Sequence, residues 1–154
     1  MKLSYPFMNK NYSGGQVGLF CVDVPEAVTA GNTLQEAIHN AEDALVVALS
    51  CYTDQHRDIP VPSKPMLEQH VVSVPPLAAM KLAIYQAMRT KRITWRQLSE
   101  QIGCNERQIR RILDINYESK VSHVEAALSA LSLRVAVDVE PIPFSYSAAG
   151  VSGV

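Results

Sequence analysis

The chain has 154 residues, with 14 Lys and Arg against 15 Asp and Glu, so a formal net charge of −1 excludes a protein that coats nucleic acid by bulk basicity. A hydrophobic fraction of 47% and a mean hydropathy of +0.01 are those of a chain that buries a core, which argues against intrinsic disorder. Three widely spaced cysteines, Cys21, Cys51 and Cys104, offer no CxxC and no disulfide framework, and a reduced cytoplasm is the expected location.

The start, with Tyr5-Pro6 and then Asn9, Lys10 and Asn11, has no apolar core of a signal peptide. No stretch approaches the roughly 20 apolar residues of a membrane span. Leu3, Tyr5 and Phe7 alternate with Ser4, Pro6 and Met8, and Val17, Leu19 and Cys21 alternate with Gly18, Phe20 and Val22, the period of two that predicts strands. Residues 11–15 (Asn-Tyr-Ser-Gly-Gly) form the turn between them. Pro6 lacks an N–H, so the first strand is expected at a sheet edge, or the proline at an outward-facing site. After a short segment over 27–30, Thr33-Leu34-Gln35-Glu36 is a capping box that opens a helix. Leu34, Ala37, Ile38, Ala41, Ala44, Leu45, Ala48, Leu49 and Tyr52 then recur at i, i+3, i+4 spacing, one face for the sheet, with Gln35, His39, Asn40 and Asp43 facing away. Residues 71–74 are a fourth strand candidate, giving β-β-β-α-β.

The charge divides along the chain. Residues 1–76 hold four basic groups against eight acidic, and residues 77–133 hold nine basic against five acidic. The sign change falls near Pro60, Pro62, Pro65, Pro75 and Pro76, where proline interrupts any helix, and it predicts two modules with different partners. In the acidic module, Asp23 and Glu26 flank a strand end, where a lone carboxylate could belong to a metal nuclease; solvated loop acids are the commoner case. His39, His56, His70 and His123 fit no metal-ligand spacing, and no nucleophile elbow, P-loop or dinucleotide fingerprint is present, so no catalytic residue, metal or cofactor is expected.

In the second module, residues 77–90 predict a largely apolar helix entered after Pro75-Pro76. Thr94-Trp95-Arg96-Gln97 caps a second helix, with Trp95, Leu98 and Ile102 inward, which Gly103 closes in the left-handed region. Asn105-Glu106-Arg107-Gln108 caps a third. At 100° per residue, Ile109, Ile112 and Leu113 occupy one arc of about 100°, and Arg107, Arg110 and Arg111 occupy the opposite one. Ser122-His123-Val124-Glu125 is a further capping box, for a helix with Val124, Ala127, Leu128 and Leu131 inward. Two capped helices around a tight glycine turn, with a basic outer side on the later one, predict a helix-turn-helix that enters the major groove, although a basic surface helix can also be merely solvated. Trp95 could stack on nucleic acid or pack in the core; Cys104, at a helix start where a thiol pKa would be lowered, could be a redox sensor or a tolerated small residue. Val135, Val137 and Val139 alternate along 134–139, a strand-like segment expected to pair with a second copy or to pack back on its own helices.

Tyr5-Pro6, Gly14-Gly15-Gln16-Val17, the run 23–37 (Asp-Val-Pro-Glu-Ala-Val-Thr-Ala-Gly-Asn-Thr-Leu-Gln-Glu-Ala) and Ile59-Pro60-Val61-Pro62-Ser63 together resemble the HicB antitoxin family, in its members that append a helix-turn-helix, over residues 1 to about 135. The resemblance implies an α+β chain: a small partial ribonuclease-H-like domain at 1–70 that binds a HicA-type ribonuclease toxin, an all-α helix-turn-helix domain at 71–140 that binds operator double-stranded DNA and dimerises, and a tail at 141–154. It implies a non-enzymatic antitoxin and autorepressor, without membrane association, assembled as a homodimer or higher even oligomer through its C-terminal domain. The alternative is a one-component regulator whose first domain senses a small ligand. By likeness to other helix-turn-helix repressors, Asn105 and Thr94 would hold phosphates, and Glu106, Arg107 and Arg111 would face bases. Gln97, Arg110 and Lys120 complete the candidate DNA-binding set.

Overall fold

The computed structural model describes residues 1–141; the expected tail lies, apart from its first residue, outside them. The elements run β1 (Ser4–Asn11), β2 (Val17–Cys21), β3 (Val28–Gly31), α1 (Leu34–Asp54), β4 (His70–Ser73), α2 (Pro76–Lys91), α3 (Trp95–Ile102), α4 (Glu106–Leu113) and α5 (Val121–Ala130). Strands precede most of the helices, and the chain is α+β. The four strands form one antiparallel sheet in the order β3-β2-β1-β4, with Phe7 opposite Cys21 on one side and Tyr5 opposite Val72 on the other.

β1 is therefore central, which corrects the edge expected from Pro6, and the proline is buried rather than outward-facing at the surface. The reason is its place in the ladder. The carbonyl of Pro6 accepts from the Val22 amide just beyond the last β1–β2 pair, and the missing N–H lies on that same side, opposite the exposed Val22 where β2 has ended, rather than within the ladder.

The β1–β2–β3–β4 face that carries Tyr5, Phe7, Leu19 and Val72 packs on Ala37, Ala41, Leu45, Ala48 and Leu49 of α1. Small alanines at three of those positions let the helix lie close to the sheet, and at Gly31 it approaches so near that no side chain fits. Thr33 caps α1 by accepting from the Glu36 amide, but the Glu36 carboxylate returns to the Asn32 amide rather than to Thr33's own, so the box is offset by one residue. Leu34, expected inward, is 36% exposed.

A second core gathers Ile84, Leu98, Ile109, Ile112, Val124, Ala127, Leu128 and Leu131. α2 serves both cores: Ala78 and Leu82 face the sheet unit while Ile84 faces the helices. α5 begins at Val121 with Lys120 as its cap residue and no side-chain cap, so Ser122 is not the N-cap expected of it. The Lys120 carbonyl already accepts from His123 and Val124, which starts the helix two residues before the serine can act. Residues 134–139 form no strand with any described residue; Val135 packs on the second core while Val137 and Val139 are 82% and 87% exposed.

Candidate nucleic-acid interface

The α3–turn–α4 unit is shaped by two reciprocal capping boxes. Thr94 Oγ1 accepts from the Gln97 amide at 3.2 Å while Gln97 Oε1 accepts from the Thr94 amide at 2.8 Å. Asn105 Oδ1 accepts from the Gln108 amide at 2.9 Å, and Gln108 Oε1 accepts from the Asn105 amide at 3.0 Å. Between them Gly103 takes φ 68, the left-handed value that ends α3 and turns the chain into α4 within two residues. The helices are only eight residues each, so these caps and the apolar inner face hold them, not propensity.

Ile109 and Ile112 are buried under α4, and its opposite side carries Arg107, Arg110 and Arg111 as the periodicity requires. The three arginines are not equivalent. Arg110 pairs with Glu106 at 2.7 Å along the same helix face and lies 5.9 Å from the Trp95 ring, so its charge is largely compensated. Arg111 is half-buried, its guanidinium 5.0 Å from the Tyr117 ring. Arg107 is exposed and faces no carboxylate among the described residues. Thr94, Gln97 and Asn105 are exposed at the starts of α3 and α4, and Glu106 sits beside Arg110. Lys120 is exposed at the start of α5, and its side chain makes no hydrogen bond or ion pair with the other seven.

Several contributors were not anticipated. Arg96 lies 5.5 Å from the Trp95 ring, so the indole sits within reach of two guanidiniums while packing against the second core, which sets it in a structural rather than a freely stacking position. Burial pushes the Cys104 thiol up, opposite to the lowering expected at a helix start, because desolvation outweighs the backbone hydrogen bond there. Lys81 of α2 is wholly buried and donates to the carbonyls that end α4; desolvation pulls its pKa down, opposed by the Asp114 carboxylate. A lysine interrupting the apolar face Ala78, Leu82, Tyr85 was its only signal in the sequence.

In the first unit, both strand-end carboxylates have structural partners. Asp23 accepts from the Ser63 amide and hydroxyl at 2.9 and 3.1 Å, which ties the proline-rich segment across the sheet end. Glu26 accepts from the Tyr52 hydroxyl at 2.8 Å and from Arg57 at 3.1 Å, and the Tyr52 contact, with backbone and Arg57 support, holds its carboxyl below the usual range. Among the described residues no group of three or more His, Cys, Asp or Glu is placed to hold a metal. No described helix is long and apolar enough to cross a membrane. A cleft of about 950 Å³ opens between the end of α1 and the helical unit, lined by Thr53, His56, Tyr85, Arg89, Trp95 and Arg110 among others.

Comparison with known proteins places this geometry. The family described as HicB-like antitoxin of bacterial toxin-antitoxin systems matches residues 6–83, from the third residue of β1 through the first half of α2. Similarity to individual proteins continues through the helical unit. The chain is 35% identical to Antitoxin HicB of Pseudomonas fluorescens (strain Pf0-1) over 127 residues, 82% of this chain and 87% of that protein. It is 33% identical to Antitoxin HicB of Escherichia coli (strain K12) over 124 residues, covering 80% and 89% respectively. Antitoxin HicB 1 of Photorhabdus laumondii matches at 28% over 138 residues, 90% of this chain and 88% of that one. With the sheet unit matched by the family and most of the chain matched by its named members, the protein belongs to the HicB-like antitoxin family.

Proposed function

We propose that this chain is a non-enzymatic regulator with two binding tasks. Residues 1–70 bind and mask a HicA-type mRNA-cleaving ribonuclease toxin, and residues 71–140 bind operator double-stranded DNA and repress the operon that encodes the pair. The observation that carries the DNA reading is the basic outer side of α4, braced by α3 behind a left-handed glycine. In this reading Arg107 and Arg111 take guanine edges, Glu106 accepts from cytosine, Thr94, Gln97, Asn105 and Lys120 meet phosphates, and Arg110 bridges Glu106 to the backbone. The excess of acid in residues 1–76 supports a partner with a basic surface, since charge complementarity raises association rate and specificity. Two copies acting together through 134–139 would set two recognition helices one helical turn apart, about 34 Å.

The test is paired. Arg107→Ala should weaken operator binding by about 1–3 kcal/mol while leaving toxin neutralisation in co-expressing cells intact. Equal losses on operator and random duplex would assign the arginine to phosphate instead. The alternative, a one-component regulator that senses a small ligand, draws support from the cleft beside Tyr85 and Trp95. Failure of the intact chain to co-purify with the adjacent small gene product and to relieve its toxicity would favour that alternative.

A further inference from the structure

The least expected charge among the described residues is Lys81, an ammonium with no exposure and, among those residues, no carboxylate in hydrogen-bond reach. Its Nζ donates to the carbonyls of Arg111 at 2.9 Å, Asp114 at 2.7 Å and Tyr117 at 2.5 Å, and lies 2.8 Å from Ser119 Oγ. Ser119 Oγ in turn donates to the Arg111 carbonyl at 3.2 Å. Of these acceptors the Arg111 carbonyl belongs to the last turn of α4, where a helix leaves carbonyls without intrahelical partners and the macrodipole favours a cation. The same loop then turns back on the reading face. The Tyr117 ring lies 5.0 Å from the Arg111 guanidinium and 5.7 Å from Lys81 Nζ, and Ile115, two residues earlier, is anchored in the first core.

Resting on the DNA-binding reading of α4, we propose that Lys81 is a positioning residue for Arg111, fixing both its backbone carbonyl and the tyrosine beneath its side chain, so that the guanidinium is presented to bases from one place. Arg107, near the start of the helix, shares neither contact. A lysine that only satisfied helix-end carbonyls would support all of α4 alike; one that positions Arg111 acts on that arginine selectively.

The experiment uses the intact chain, the duplex upstream of its own gene and a random duplex of equal length. The ratio of the two affinities is measured by fluorescence anisotropy for Lys81→Met, Arg111→Ala, Arg107→Ala and the doubles K81M/R111A and K81M/R107A. K81M should lower the ratio about as far as R111A does, roughly tenfold, and add nothing in the R111A background, while its effect multiplies with that of R107A. A ratio unchanged in K81M, or a loss that multiplies equally with both arginines, overturns the assignment. Should circular dichroism show K81M unfolded, Tyr117→Ala, at a 39% exposed position, takes its place in the same cycle with the same two outcomes. Independently of DNA, the Arg111 side-chain NεH resonance, identified by its loss in R111A, should move toward the random-coil position in K81M or Y117A, and its persistence unchanged overturns the inference. A wild-type chain that fails to prefer its own upstream duplex counts against the DNA reading alone, and the resonance then decides the positioning role.

Discussion

Replacing Gly31 and Gly103 by alanine tests two different physical demands in one molecule. A Cβ on Gly31 would stand 2.5 Å from the Ala37 amide nitrogen and 2.9 Å from the Glu36 carbonyl carbon, about 0.9 Å short of the 3.4 Å at which ordinary contact begins. Both obstacles are backbone of the first turn of α1, so the helix itself must move off β3. Overpacking of this kind costs about 1–3 kcal/mol and here should fall at the top of that range, because no flexible side chain can yield. For a chain of this length about 3 kcal/mol corresponds to a Tm lower by roughly 6–12 °C. Gly103 differs: nothing lies within 4 Å of its Cβ position, and the cost is the left-handed φ of 68 alone, about 1–2 kcal/mol. Urea unfolding followed by circular dichroism and by fluorescence of Trp95, the single tryptophan, measures both. Because α2 joins the two cores, G31A should shift the Trp95 transition even though the tryptophan belongs to the helical unit. G31A within 0.5 kcal/mol of wild type (a threshold of about the size of neutral surface changes), or costing less than G103A, would refute the steric argument. An unmoved Trp95 transition would show that the cores unfold separately.

Glu26→Gln should flatten the acid limb of the stability curve: a carboxyl whose folded pKa lies below its unfolded value of about 4.3 contributes fully above that pH and loses the contribution as pH falls through the folded pKa. Wild type and E26Q should therefore differ at neutral pH and converge under acid in pH-dependent urea titrations, and parallel curves would show that Tyr52 and Arg57 gain nothing from the charge. Truncation after Leu133 removes Val135, Val137 and Val139; it should yield a folded chain that is monomeric in sedimentation equilibrium, still neutralises toxin and has lost tight operator binding. A truncated chain that remains dimeric would place the contact on the helices.

Much of the helical unit was legible because its determinants are local. A cap residue and its partner three positions on, a glycine that closes a turn, and an apolar stripe opposite three arginines all lie within one or two helical turns, and the structure places α3, Gly103 and α4 accordingly. The family resemblance likewise rested on contiguous runs, and the comparisons bear it out.

What only the tertiary structure decided concerns residues whose partners are distant in the chain. The position of Pro6 on a central strand depends on where β2 ends and on β4 pairing along its other side, and the engagement of Asp23 on a serine 40 positions away. Periodicity reports which face of an element is apolar, not which element covers it, so it could show neither that α2 belongs to two cores nor that Trp95 has two guanidiniums beside it. Lys81 is the sharpest case: in sequence it is only one of the nine basic groups of residues 77–133, and the arrival of the α4 C-terminus, 30 to 36 residues later, turns its site into a cage of carbonyls that a buried ammonium can fill.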